Sequence, residues 1–403
     1  MKTVLVVGAG RYQRAVIRKA RELGLRVVAV DRNPDAPGLR EADVGRVVDF
    51  SSPGAVLEEV RGLGIDGVLT VQAERAVPMI AELAESLGVP GIGVETARLM
   101  TNKLAMRARL AEAGVPQPRF ATVRTAAEAG AALADLGLPA VLKPADASGQ
   151  LGVARIASAD ELERRFATAL EASPTGEAVL EEFVEGVELN GIVVVQDGEV
   201  LAVVLCDRLR PPGRSFGVSW LHVYPPSVEG ARLAEAKQVA ADAVRALGLR
   251  SGIGFPQLLA RPEGGVALVE CAARIGGMMA EHLQHALGID LLEIALRLAL
   301  GEPVTAEHVR ERFRRPVAVR FLTADPGTLT PGRVTRIGPL DPVLAAPGVL
   351  DASIFSVVGE TIRPVMIISD RRGYVIAAGE TREEAVARAD AAALLVEIDV
   401  EAA

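Results

Sequence analysis

Aromatic residues make up only 3% of the 403-residue chain, with one tryptophan and three tyrosines. A core must therefore be built from alanine, valine, leucine and isoleucine. Cysteine is scarcer still: Cys206 and Cys271 are the only two. So few thiols exclude a disulfide framework and point to a reducing compartment, so the chain reads as cytoplasmic. Basic charge is not in excess; the net charge is −8 and the isoelectric point about 5.3. A general grip on nucleic acid needs a basic face and is not expected, although a local basic pocket for a small anion is compatible with this balance. No apolar run approaches the roughly 18 residues of a membrane span, so no membrane partner is expected. Lys2, the run Val4 to Val7 and Gly8 read as a first strand, not as a signal peptide. No persuasive Ser–His or Cys–His pair points to a side-chain nucleophile.

What is present is the balance of a globular protein: half the residues are apolar and 24% are charged. At about 150 residues per domain, the length allows two to three domains. The first hundred residues alternate strand and helix: Thr3–Val7, a helix over 15–23, Arg26–Val30, a helix over 55–63, Gly67–Val71, a helix over 77–87 and a return to the sheet at Val89–Gly91. This pattern predicts a doubly wound parallel sheet, a Rossmann-like α/β unit over 1–96. A helix over 97–113 opens a central block, 97–312, with strands near 120–123, 140–143, 154–157 and 178–183. The dipeptide Asp197-Gly198 between apolar runs predicts a hairpin, and a second hairpin is expected over 255–270. The last ninety residues, 313–403, read as a separate small α+β domain.

Gly8-Ala9-Gly10 follows the first strand, and Asp31 lies about twenty residues on. That begins like a dinucleotide fingerprint. The third glycine position is Gln13, too bulky for close helix–strand packing, so the turn reads instead as one whose helix N-terminus can hold a small anion.

Four segments carry the chemistry, and their order is informative. Thr101-Asn102-Lys103 comes first. Leu142-Lys143-Pro144 follows, with the small-residue loop Ala147-Ser148-Gly149-Gln150-Leu151-Gly152. Next is Leu180-Glu181-Glu182-Phe183-Val184 running to Glu188. The last joins Phe255-Pro256-Gln257 to Val269-Glu270-Cys271-Ala272-Ala273-Arg274-Ile275-Gly276-Gly277. With these motifs in this order over roughly residues 1–310, the chain resembles the ATP-grasp superfamily. Within it, the chain is most similar to carboxylate–amine ligases of biotin-carboxylase architecture. These include amino-acid ligases and the ATPase of aminoimidazole ribonucleotide carboxylation. The stretch from Gly288 to Pro303 resembles the helix that follows the metal motif in biotin carboxylase.

The resemblance implies ATP and Mg²⁺ (or Mn²⁺) as cofactors and assigns roles residue by residue. Lys103 and Lys143 become phosphate-binding lysines, and Ser148 and Gly149 lie in a flap that closes over the phosphates. Taken alone, Lys143 is better read as a strand-end lysine in solvent. Glu181, Glu182, Phe183 and Val184 match the hinge that reads adenine, and Glu188 the carboxylate that grips ribose hydroxyls. Alone, they are an acidic turn. Glu270 and Gln257 match the metal ligands, as Mg²⁺ takes oxygen donors. The usual third ligand is Ala272 here, which leaves a second metal without that ligand unless water fills the place. Arg274 matches the catalytic arginine that steadies the transferring phosphoryl group. His222 matches a position that contacts nucleotide or substrate.

The remaining candidates are plainer. His282 and His285 lie three apart on a helix expected to face the cleft, with no third ligand for zinc. Cys271 reads as a small buried hydrophobe. Arg11, Arg210, Arg214 and Arg320 are candidate binders of carboxylate or phosphate. The activity expected is ATP-dependent joining of a small-molecule carboxylate to an amine through an acyl phosphate, by a homodimer as the resemblance implies, with a lid over about 119–185. The alternative with the same chemistry is a bicarbonate-using carboxylase of the aminoimidazole ribonucleotide or biotin type; Asp31 to Pro37 resembles the purine enzyme. An NAD-dependent oxidoreductase and a non-catalytic nucleotide binder are the rivals from other classes.

Overall fold

The computed structural model describes residues 1–49, 52–212 and 216–401; Arg214 lies outside them. The N-terminal sheet is parallel, in the order Val44–Val47, Arg26–Asp31, Thr3–Val7, Gly67–Leu69. Every residue of Thr3–Val7 is buried, as a strand covered on both faces requires. The expected return at Val89–Gly91 does not form a strand. Pro90 has no N–H for a ladder, and a Cβ at Gly91 would come within 2.6 Å of the Ala84 side chain, so this stretch packs on the preceding helix instead.

The helix expected over 97–113 is two helices, Val94–Leu99 and Lys103–Glu112. Asn102 leaves helical geometry to cap the second, its side chain accepting from the Ala105 N–H at 3.0 Å. That cap places Lys103 at the first helical position. A four-stranded antiparallel sheet follows, in the order Phe120–Val123, Ala178–Glu182, Ala140–Pro144, Ala154–Ile156. Helices Ala126–Leu136 and Ala159–Glu171 pack Leu133, Leu162 and Phe166 onto it.

The largest sheet has eight strands. In order they are Val266–Ala272, Gly252–Ala260, Val187–Gln196, Glu199–Leu209, Leu221–Tyr224, Val317–Leu322, Gly373–Ala378 and Val349–Ile354, each antiparallel to its neighbour. The hairpin at Asp197-Gly198 turns through positive φ at both residues, 53° and 87°. Three strands of this sheet come from beyond residue 313, so the C-terminal stretch extends the central sheet. Its remaining strands form a small sheet, Thr361–Ile362, Gly332–Ile337, Ile398–Glu401. Helix Arg382–Ala393 seats Ala385 and Ala389 against Val223, Ala318 and Ala377. One core joins the parts: Val4 and Ile17 share a cluster with Phe255 and Phe321. No helix among the described residues is long and apolar enough to cross a membrane.

Candidate active site

A cavity of about 850 Å³ opens where these sheets meet. Lys103, Lys143, Ser148, Gly149, Glu181, Glu182, Phe183, Val184, Glu188, His222, Gln257, Glu270 and Arg274 all line it. Residues that sequence reasoning left out line it too: Tyr12, Gln72 and Glu74 from the N-terminal unit, Arg208 from the large sheet, and Phe321, Ile368 and Arg371 from beyond 313.

Lys143 is the penultimate residue of the fully buried strand Ala140–Pro144 and lines the cavity. Its Nζ lies 2.6 Å from Glu181 Oε2, and Glu181 Oε1 accepts from Arg107 Nε at 2.9 Å. Burial acts to raise the Glu181 carboxyl, but the Arg107 guanidinium and the Lys143 ammonium outweigh it and bring it down to about 2. Glu181 is thus a fixed anion that positions Lys143. Arg107 also donates to the Leu268 and Val269 carbonyls, tying this triad to the strand that carries Glu270. Lys103 reaches the flap, its Nζ donating to the Ala147 carbonyl at 2.6 Å. The flap carbonyl of Gly149 accepts from the Ile368 N–H at 3.1 Å, and Gln150 donates to Gly217.

Gln257 and Glu270 face each other across paired strands, the Gln257 amide donating to Glu270 Oε1 at 2.6 Å. Ala272 offers no ligand, and no group of three or more His, Cys, Asp or Glu able to hold a metal occurs among the described residues. The donor set fits Mg²⁺ carried by a nucleotide, which takes one or two protein oxygens and completes its shell with phosphate and water. The Gln257 carbonyl oxygen would turn toward such an ion. Arg274 is held by Glu74 at 2.6 Å and lies over the Phe255 ring.

Glu188 is gripped by Arg208 and by Arg210, the latter at 2.6 Å. Extending the Asp197-Gly198 hairpin outward leads toward this pair. A bulge between Val200 and Ala202 shifts the register by one residue, however, and a simple count then misses it. His222 is buried, its Nε2 3.3 Å from Ser219 Oγ and its ring edge-on to Phe321. Burial, with Arg371 and Arg208 nearby, holds its pKa well below the usual value, so it is neutral at pH 7. Gln72, Gln150 and Met278 line the cavity with φ of 59°, 70° and 62°, unusual for side-chain-bearing residues and typical of functional sites.

Some candidates lie elsewhere. The Gln13 amide donates to the Val71 carbonyl at 2.6 Å and fills the space beside Gly8 and Gly10, where a pyrophosphate would need room. His282 does not face the cleft: it is fully buried and bonds the Val317 carbonyl. Arg320 pairs with Asp390 and stacks on Trp220, and Arg11 bonds the Phe355 carbonyl; neither lines the cavity. Cys271 is buried, which pushes its thiol up to about 12, out of reach of a nucleophile's role.

The two lysines, the 181–184 segment and the acid–amide pair on adjacent strands thus meet in one cleft, as the resemblance to the ATP-grasp superfamily implies. Comparison with known proteins agrees. Residues 102–307 match the carbamoyl-phosphate synthase L chain ATP-binding domain, residues 17–91 the ATP-grasp N-terminal domain, and residues 320–401 the L-amino acid ligase C-terminal domain 2. The chain belongs to the ATP-grasp family, whose members are ligases that form carbon–nitrogen bonds using ATP and Mg²⁺. An uncharacterised protein, y4rH of Sinorhizobium fredii, is 30% identical over 397 residues, covering 95% of this chain and 79% of that one. A formate-dependent phosphoribosylglycinamide formyltransferase from Synechococcus sp. is 27% identical, covering 99% and 98%. The crystal structure of L-amino acid ligase from Bacillus licheniformis superposes with a TM-score of 0.84 at 23% identity, covering 100% of this chain and 99% of that one, and so shares the fold.

Proposed function

We propose that the protein joins a small carboxylic acid to an amine at the expense of ATP. The observation that carries this reading is the convergence of Lys103, Lys143, the 181–184 hinge, the Gln257–Glu270 pair and Arg274 on one cavity with no activated nucleophile among its described residues. The C-terminal match to amino acid ligases supports an amino acid as a substrate.

The N–H groups of Glu182 and Phe183 are already taken by the Arg119 and Pro139 carbonyls, which leaves Val184 to meet the adenine edge. Lys103 and Lys143 hold the phosphates, and the flap excludes water. An oxygen of the substrate carboxylate attacks the γ-phosphorus; the bond from that phosphorus to the β-phosphate oxygen breaks and ADP leaves. Arg274, preset by Glu74, offsets the charge that develops on the phosphoryl oxygens. When bound by Glu270 and Gln257, Mg²⁺ supplies further charge neutralisation there. The amine nitrogen then attacks the acyl carbon. The carbon–oxygen bond to phosphate breaks, phosphate leaves with the electron pair, and the proton shed by the nitrogen passes to the departing phosphate.

Hydroxylamine tests the intermediate. With Mg-ATP, the acid and hydroxylamine in place of the amine, ADP should appear in equal amount to hydroxamate; ADP without hydroxamate contradicts an acyl phosphate. A second reading keeps these steps with bicarbonate as the acid and an aminoimidazole ribonucleotide as the amine. It draws on the fold shared with N5-carboxyaminoimidazole ribonucleotide synthetase from Thermotoga maritima, and is tested by ADP release with that pair.

A further inference from the structure

Five arginines are buried among the described residues, and four have an acid against them. Arg107 pairs with Glu181, Arg208 with Glu188, Arg320 with Asp390 and Arg372 with Glu360. Arg371 is the exception. It is 6% exposed, lines the cavity, and has no carboxylate within ion-pair distance among the described residues. Its Nη2 donates to the Ser219 carbonyl at 2.7 Å and to Ser219 Oγ at 2.8 Å. Its guanidinium lies 3.6 Å from the centre of the Phe321 ring. Its Nε is buried with no acceptor, and its Nη1 reaches across the cavity toward Gly277, where an added Cβ would lie 4.0 Å away.

A buried cation without a counter-charge is costly, and a protein that keeps one beside a ligand cavity has a use for it. Burial and the neighbouring Arg208 already pull this guanidinium down to about 9. An anion from outside would relieve both effects. The number of free charges limits its class. Arg372 turns away to Glu360 at 3.1 Å and does not line the cavity, and Arg208 is committed to Glu188. Among the described arginines that line the cavity, one uncommitted guanidinium suits a monoanionic carboxylate better than a dianionic phosphate.

The carboxylate to be activated must sit by Arg274 and Glu270, where it loses its charge to phosphorylation. A carboxylate held at Arg371 is one the product retains. Resting on the ligase reading above, we propose that Arg371 anchors the unreacted carboxylate of the amine-bearing substrate. That substrate is then an α-amino acid and not a simple amine. Arg371 is thus a specificity-determining residue contributed from beyond residue 313.

The test compares Arg371→Gln and Arg371→Lys with the unaltered protein. Proteinogenic amino acids are supplied in pairs as acid and acceptor, and then with each acceptor replaced by its amide, such as L-alaninamide for L-alanine. The unaltered protein should prefer the free acid acceptor. Arg371→Gln should raise the acceptor KM about ten- to hundredfold, the worth of a hydrogen bond to a charged group. KM for ATP and for the activated acid should stay within about twofold. Arg371→Lys should fall between, and the preference for the free acid over the amide should shrink in both variants, whose folding is checked by melting temperature and by calorimetric ATP binding. Equal use of free and amidated acceptors by the unaltered protein overturns the proposal. So does a rise in KM for the activated acid instead of the acceptor. Failure to form an amide from any pair overturns the ligase reading itself, a different signature.

Discussion

Glu181 shows how one side chain can serve both stability and chemistry. It is buried between Arg107 and Lys143, and each partner would be an uncompensated buried charge without it. Glu181→Gln should therefore cost ~3–5 kcal/mol in urea unfolding and weaken ATP binding, read by calorimetry. Because the folded carboxyl titrates at about 2, below its ordinary value of 4.5, its stabilisation is complete above that ordinary value. It is lost as pH falls toward 2, and Glu181→Gln should flatten that acid limb of the stability profile. Lys143→Ala should abolish turnover; unchanged ADP release would remove it from the phosphate site. At this scale the sequence order of the motifs is enough to group residues that share one cavity. It does not reveal their partners. Glu74 lies two hundred residues from Arg274, and Arg208 meets Glu188 only after a bulge that no composition signal marks.

Elements set where those side chains point. The break at Met100–Asn102 is one case: an apolar periodicity through Leu99, Met100 and Met106 reads as one helix, yet Asn102 prefers the cap. Asn102→Ala should lower stability by about 1 kcal/mol and raise the KM for ATP, since the cap aims Lys103 at the flap. Asn102→Asp, which keeps the acceptor, should restore both. The 147–152 loop, proposed as the flap, depends on Gly152, where φ is +70° and an added Cβ would lie 2.8 Å from both Pro144 and Ala172. Gly152→Val should depress kcat more than it destabilises the fold, as the ratio of turnover to melting temperature will show. Hairpin and helix positions could be read from turn dipeptides and periodicity. The close approach that forbids a strand at Gly91 could not, because it depends on a partner helix.

The whole molecule is held together by a sheet that ignores sequence boundaries. Val317–Leu322 lies beside Leu221–Tyr224, and Phe321 and Arg371 complete a cavity begun by Tyr12 and Lys103. Ending the chain at residue 312 would strip three strands from the sheet and leave Leu221–Tyr224 as an open edge. Such a fragment should aggregate and fail to bind ATP, whereas a soluble, ATP-binding fragment would show that the parts fold independently. Local patterning reveals strands but not which sheet they join, so the three strands that the stretch beyond 313 lends to the central sheet are not legible in the sequence.

ATP cleavage by this protein is proposed to join an acid to an amine. The measurement is mass spectrometry of products, alongside ADP release, from the protein with Mg-ATP and pooled acids and amines. ADP should appear only when both partners are present, with a product whose mass is their sum less one water. ADP release that needs no amine, or that leaves both partners unjoined, would contradict the proposal.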